Sequence, residues 1–506
     1  MPVMAFAPPL TRAAPALAAP ALSRAAATPA VAALLIFGVV LFSPAVLGDS
    51  DSFWHLKAGE WILRHASVPH ADPFSFSYAG APWTAHEWLA EVFFALAWHG
   101  ARWSGVALLT ACAAAATLYV VASRLAKDLT GVGLVVVTGI AASLLAEDLL
   151  ARPHMLALPV MALWCVGLME ARDADRAPSP LLLPLMALWA NLHGGFLFGL
   201  ALIGPFALEA AMSAAPQMRA RVAAQWALFG ALALGAALLT PHGLEGILFP
   251  LRLLALKSLD QIVEWRPATF ATLEPFEIAL LAFMFLALWR PLRLPLIRLA
   301  LLIALIHLSL QHARHQMLLA IVAPMLLARP IADAIEARAQ PKAPGSSAGG
   351  GVLAFVALAL ALTGLRLALP ITRVDSPSAP ISALAAVPAA LRAAPVLNEY
   401  GFGGYLIFSG VRPFIDGRTD MYGDAFMARY GRITAPEAAA LDDELTRDHI
   451  AWTIFSPSAR INNALEAKPE WRALYRDEFA VVYVRRDWSE AADAEGADAL
   501  RLAHPD

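Results

Sequence analysis

Between residues 31 and 370 the chain returns repeatedly to apolar runs long enough to enter a membrane, and no other property limits its fold so strongly. A helical span needs roughly 17 to 25 mostly apolar residues, because lipid offers the backbone N–H and C=O groups no partner and a helix satisfies them internally. Such segments lie at 31–48, 104–123, 130–147, 153–170, 180–191, 196–213, 221–240, 275–290, 294–311, 316–334 and 351–370. The fifth is short, and its continuation, Trp189-Ala190-Asn191-Leu192-His193-Gly194-Gly195, is too polar for open lipid, so it is expected to face a protein-lined cavity. Only 15% of the 506 residues are charged, against roughly 25% in a soluble domain.

The expected fold is therefore a polytopic α-helical membrane protein of about eleven spans, followed by a soluble C-terminal α/β domain. A net charge of -3 with scattered arginines gives no reason to expect a nucleic-acid partner. Cys112 and Cys165 both fall in apolar runs, which leaves neither a disulfide framework nor a cysteine metal site.

Arginine and lysine collect in cytoplasmic loops. Arg12 and Arg24, Arg124 and Lys127, Arg172 and Arg176, Arg219 and Arg221, Arg290 and Arg293, and Arg338 and Lys342 all fall on one side of the spans above. The expected location is the inner membrane, with the C-terminal domain outside the cytoplasm. The divisions are a disordered cytoplasmic N-terminus (1–30), a transmembrane core (31–338) with a long outer loop (49–103), a linker (339–350), a last span (351–370) and the extracytoplasmic domain (371–506). In the outer loop, Asp51 can cap a helix whose tryptophans suit the headgroup level, and a second amphipathic helix begins near His86. In the terminal domain, strands are expected at 405–408, 413–416, 452–455 and 479–484, and helices near 436–447 and 458–467.

The unusual polar residues gather on the outer side. Asp49 and Asp51 follow the first span and can act as general base, or hold a divalent cation such as Mg or Mn, which is a candidate cofactor rather than an assigned one. The plainer reading is a cap at Asp51 and a solvated Asp49. Arg152 and His154 open the fourth span and Arg314 and His315 the tenth, where the arginines could grip phosphate oxygens or simply reach the headgroup layer. His55, Lys57, Glu87, Asn191, His193, Glu264 and Trp265 join them as candidate substrate-binding residues, each of which taken alone reads more readily as a solvated helix end. In the terminal domain, Asp416, Arg418 and Asp420 follow a glycine-rich run and are candidates for acceptor binding, with a buried Asp–Arg pair as the even alternative.

Several chemistries are absent from the sequence. His86-Glu87-Trp88-Leu89-Ala90 lacks the second histidine of a zinc-protease helix, and neither a Gly-x-Ser-x-Gly turn nor a Gly-Lys-Ser phosphate loop occurs. Gly401-Phe402-Gly403-Gly404-Tyr405-Leu406 lacks the third glycine of a dinucleotide loop. His312 and His315 share a helix face but have no clear third ligand.

The acidic pair Asp49-Ser50-Asp51, just beyond the first span and opening a loop with two surface helices, resembles the GT-C superfamily of membrane glycosyltransferases. Asp51-Ser52-Phe53-Trp54-His55-Leu56-Lys57-Ala58-Gly59, Asp72-Pro73-Phe74-Ser75-Phe76, His86-Glu87-Trp88-Leu89, Trp189-Ala190-Asn191-Leu192-His193-Gly194-Gly195, Glu264-Trp265 and Phe414-Ile415-Asp416-Gly417-Arg418 also resemble a set of bacterial membrane proteins with no assigned substrate. The superfamily resemblance implies a GT-C-like core that moves a sugar from a polyprenyl-phosphate donor to a lipid, glycan or protein acceptor on the outer face. Asp49 or Asp51 would be the base or help bind a metal, and Arg152 and Arg314 would hold the donor phosphate. The tryptophan-led acceptor motif of oligosaccharyltransferases is missing, which leaves peptide glycosylation through that motif without support. Two other functions use the same features. A transporter or flippase of lipid-linked substrates would favour midplane charges and repeated halves. A non-catalytic envelope assembly protein would favour acidic and basic groups more than about 15 Å apart, too far to share one reacting group.

Overall fold

The computed structural model describes residues 24–335, 349–435 and 438–488. The expected disordered N-terminus up to residue 23, residues 339–348 of the expected linker, and the tail beyond 488 lie outside them. Thirteen helices build the first part: α1 Arg24–Phe42, α2 Asp51–His65, α3 Trp88–Leu125, α4 Gly131–Leu145, α5 Pro153–Asp173, α6 Leu183–Leu192, α7 Phe196–Ser213, α8 Arg219–Ala237, α9 Leu244–Leu253, α10 Pro275–Trp289, α11 Leu296–Gln311, α12 Gln316–Ala334 and α13 Gly349–Ala368.

Every apolar segment read from the sequence falls on a helix of this set. Among the described residues, six helices are long and apolar enough to cross a membrane, and five shorter apolar helices accompany them, among them Thr28–Phe42, Pro275–Trp289 and Phe355–Ala368. α10 exposes Leu281, Phe285 and Leu288, the outward apolar surface that lipid would cover. At one end of the bundle the basic connections are tied by ions: Arg124 reaches Asp173 at 3.2 Å, while Arg172 and Arg298 both reach Glu209, at 3.3 and 3.0 Å.

The outer loop departs from expectation at its first helix. α2 does not lie free on a surface: its face of Phe53, Trp54, His55 and Leu56 is buried, with Trp54 against Trp83. The second loop helix forms as expected: α3 begins at Trp88, and a break at Ala101 (φ -150, ψ 29) and Arg102 (φ 51, ψ -140) separates this first stretch from the span that follows. The connection after α8 also contains α9, whose ten residues are too few to stand out as a span.

The terminal domain holds α14 Ile381–Ala385, α15 Ala389–Arg392, β1 Val396–Asn398, α16 Gly403–Phe408, α17 Thr419–Thr434, α18 Ala438–Arg447, β2 Trp452–Phe455, α19 Ile461–Glu466, β3 Trp471–Arg476 and β4 Val481–Arg485. Its sheet has the order β1-β2-β4-β3, with β1 parallel to β2 and the other pairs antiparallel. The strands expected at 452–455 and 479–484 are β2 and β4, and the helices near 436–447 and 458–467 contain α18 and α19, residues 436–437 lying outside the described set. The expected strand at 405–408 is instead the end of α16, and 413–416 is an extended loop with no ladder partner among the described residues. Both are runs too short for periodicity to separate strand from helix or buried loop.

Candidate active site

A cavity of about 900 Å³ lies where the outer loop, the starts of several helices and the terminal domain meet. Its polar end is organised around Arg152, the residue preceding α5. Arg152 Nη2 donates to Asp51 Oδ2 at 2.7 Å, and Nη1 reaches both Glu264 oxygens at 3.0 and 2.9 Å and Asp49 Oδ2 at 3.4 Å. Burial alone would lower the guanidinium's proton affinity, but Asp49, Glu264 and Asp51 more than offset it.

The two aspartates hold one another in place. Asp49 Oδ1 accepts from the Asp51 backbone N–H at 2.7 Å, so Asp49 serves the start of α2, while Asp51, expected as its cap, makes no capping bond. Asp51 Oδ1 instead accepts from Trp54 Nε1 at 3.0 Å. Burial raises the Asp51 carboxyl from 3.8 to about 7; Arg152 pulls it down, and Asp49 and Glu264 push it up.

A second polar group centres on Glu87. The Nε2 atoms of His193, His86 and His55 stand 3.5, 3.7 and 3.8 Å from its oxygens. His193 Nδ1 accepts from Gly195 N at 3.0 Å, which places its proton on Nε2, facing Glu87. Burial raises Glu87 to about 7 against the pull of Arg152 and Arg314, and burial lowers His55 and His193. His55 also pairs with the buried Glu91 at 3.2 Å.

His154 lines the cavity with its Nε2 donating to Asp148 O at 2.7 Å. Arg314, just before α12, stacks over Trp265 at 4.3 Å from the ring centroid and has no ion pair among the described side chains. His315 lines the same wall, its Nδ1 3.2 Å from Leu308 O. Below these groups the cavity is apolar, walled by Leu158 and Met161 of α5, Leu197 and Ala201 of α7, and Met317 and Leu318 near the start of α12.

The terminal domain closes the cavity with Tyr400, Gly417, Thr419, Asp420 and Tyr430. Asp420 is raised to about 6 by burial, with His86 and Arg418 acting to lower it.

Four candidates do not belong to the cavity lining. Lys57 pairs with Glu60 at 2.7 Å, because its place on α2 turns it from the face that carries Trp54 and His55. Asn191 is consumed as a brace: its Oδ1 accepts from Trp88 Nε1, and its Nδ2 donates to Ala187 O and Leu239 O, each at 2.8 Å. Asp416 and Arg418 are fully buried and cannot meet an acceptor. Arg418 donates to Asp416 from Nε at 2.7 Å and from Nη2 at 2.6 Å, and to Asp72 of the outer loop from Nη1 at 2.6 Å. This pairing accounts for two of the sequence motifs as halves of one contact.

The other named candidates, Asp49, Asp51, His55, Glu87, Arg152, His154, His193, Glu264, Trp265, Arg314, His315 and Asp420, all line the one cavity. Sequence reading missed His86, Glu91, Trp54, Trp83, Tyr400 and Tyr430. Glu91 lies one helical turn beyond Glu87, a spacing that would have found it; the two tyrosines carry no local signal. Among the described residues, no group of three or more His, Cys, Asp or Glu is arranged to hold a metal ion, and Arg152 contacts both aspartates of the acidic pair.

No family model matches the sequence. No curated protein matches it either. Among solved structures, the chain is similar to the crystal structure of ArnT from Cupriavidus metallidurans bound to undecaprenyl phosphate, at 13% identity and a TM-score of 0.48, over 90% of this chain and 97% of that one, a likeness too distant to assign a function.

Proposed function

We propose that this protein is a membrane glycosyltransferase of GT-C type that moves a sugar from a polyprenyl-phosphate-linked donor to an acceptor at the outer face of the inner membrane. One observation carries the reading: a single cavity joins an acidic pair and two arginines to an apolar wall formed by spanning helices. That combination suits a ligand with an anionic head and a long hydrocarbon tail, the head among Arg152 and Arg314 and the tail along α5, α7 and α12. The contact between Arg152 and the aspartates is also the opposite of the wide separation that a non-catalytic role would favour.

In the reaction the acceptor hydroxyl attacks the anomeric carbon of the sugar. A new carbon–oxygen bond forms, the bond from that carbon to the phosphate oxygen breaks, and its electron pair leaves with the polyprenyl phosphate. Asp49 or Asp51 takes the hydroxyl proton; a carboxylate held near neutral pH suits that task because it is ionised yet basic. The arginines stabilise the charge that grows on the leaving phosphate.

The test is sugar transfer by the full chain in membranes supplied with polyprenyl-phosphate hexoses and pentoses. Transfer is expected from at least one donor and is expected to vanish in the Asp49→Asn, Asp51→Asn double variant. Full activity in that variant would overturn the assignment of the base. Failure of the wild type both to transfer any of these sugars and to bind polyprenyl phosphate would overturn the donor class.

A further inference from the structure

Arg152 is surrounded by more negative charge than one guanidinium can balance. Three carboxylates, Asp49, Asp51 and Glu264, lie within 3.4 Å of its two terminal nitrogens. A phosphate arriving beside Asp51 would be a fourth anion at the same cation. Such a phosphate gains room beside Arg152 when one of the three carboxylates leaves.

The three are not equally held. Asp49 is tied to the start of α2 by the Asp51 N–H, and Asp51 to Trp54 Nε1. The Glu264 carboxylate has Arg152 as its only hydrogen-bond partner among the described residues. Its side chain is also the most accessible, at 32% against 17% and 14% for Asp49 and Asp51. It sits on a short 3-10 turn, Val263–Trp265, in the connection between α9 and α10 rather than on a spanning helix. Both Glu264 oxygens share the single nitrogen Nη1 at 2.9 and 3.0 Å, short of the two-nitrogen fork that an arginine offers a phosphate.

The neighbourhood fits such an exchange. Trp265, next in sequence, carries Arg314 on its ring, and Arg314 has no ion pair among the described side chains. Arg152 and Arg314 each precede a long apolar helix lining the cavity, and a helix start favours an anion.

We propose that Glu264 is a stand-in for the donor phosphate on Arg152: the incoming phosphate takes the Nη1 edge, bridges to Arg314, and displaces the Glu264 carboxylate into the cavity mouth. The inference rests on the lipid-phosphate reading and reverses the role expected for Glu264 from sequence. Glu264 competes with the donor rather than binding it, and it keeps Arg152 aligned on the aspartates while the cavity awaits its ligand.

The experiment is equilibrium binding of a polyprenyl monophosphate without sugar to the full chain in lipid nanodiscs, for wild type, Glu264→Gln, Glu264→Ala, Arg152→Gln and the Arg152→Gln, Glu264→Gln double variant. Removing a competing charge-assisted contact is expected to tighten binding by about tenfold or more in both Glu264 variants. The gain is expected to disappear when Arg152 is also replaced. Equal or weaker binding in folded Glu264→Gln would overturn the proposal while leaving the donor reading intact, provided the wild type binds the lipid. A gain that survives loss of Arg152 would overturn it as well, as would failure of both Glu264 variants to fold, which would make Glu264 a structural tie. Absence of binding in the wild type and in every variant would defeat the donor reading and this proposal together.

Discussion

Gly417 of the terminal domain lies against Asp51 of the outer loop so closely that a Cβ at position 417 would stand 1.8 Å from Asp51 Oδ1 and 2.9 Å from Trp54 Nε1. A Cβ on Gly404 would likewise fall 2.2 Å from the Ser50 carbonyl oxygen. The glycine-rich run is thus a seam between domains, and its lack of side chains lets the terminal domain press on the acidic pair.

Gly417→Ala should therefore push Asp51 off the Trp54 and Arg152 contacts. Overpacking of this kind costs roughly 1 to 3 kcal/mol. The expected outcome is a lowered thermal midpoint together with a much larger loss of sugar transfer, because the strain falls on Asp51 itself. Retained transfer at the wild-type rate would show that the Asp51 position tolerates displacement.

Arg418 makes a different prediction. It is fully buried between Asp416 and Asp72 and flanked by the rings of Trp83 and Phe74 at 4.8 and 5.2 Å. Arg418→Met leaves two buried carboxylates without their cation, and breaking a buried pair from one side costs about 3 to 5 kcal/mol. Thermal unfolding of the full chain should fall sharply, and limited proteolysis should release the terminal domain from the loop. An unchanged melting curve would contradict this account.

The relation between Asp72 and Arg418 also shows what a sequence can and cannot disclose. The apolar helices were legible because hydrophobic runs have a physical length to match, and the polar residues that meet in the cavity because charge near lipid is costly. Asp72 and Arg418 are 346 residues apart, and nothing local says that they meet. For the same reason Asp416 and Arg418 read equally well as a binding pair or a buried one. Lys57 and Asn191 carry chemistry suited to a site, yet the turn of α2 and the brace on Trp88 remove them from it. The short α16 and the loop at 413–416 escaped because four residues have no resolvable period.

Asn191→Leu should separate bracing from catalysis. It leaves the Trp88 indole N–H without its acceptor and the Leu239 carbonyl without its side-chain donor. Trp88 is half-buried and Leu239 exposed, so the loss should stay near the net worth of a hydrogen bond, about 1 kcal/mol each. The expected variant melts earlier but transfers sugar normally per folded molecule at low temperature. A folded variant with a raised KM for the donor would instead return Asn191 to the site.

The last prediction concerns pH, and its sign follows from Asp51. Burial first, and Asp49 and Glu264 after it, raise this carboxyl from 3.8 to about 7, with Arg152 opposing. If Asp51 is the base, it must be ionised, so kcat/KM should fall as pH drops through about 7. Glu264→Gln removes one of the charges that raise Asp51, so the acid limb should move to lower pH. Glu87 is also raised to about 7, but it is not among the groups that shift Asp51, and Glu87→Gln should leave the limb in place. Stability carries the same signature with its own sign. Between 3.8 and about 7 the folded chain holds a proton on Asp51 that the unfolded chain has lost. Raising pH through that window therefore lowers the stability contributed by this group. Glu264→Gln should reduce that loss. A pH–rate profile and thermal midpoints for wild type, Glu264→Gln and Glu87→Gln measure both effects, and an acid limb that shifts in Glu87→Gln but not in Glu264→Gln would transfer the base from Asp51 to the Glu87 cluster.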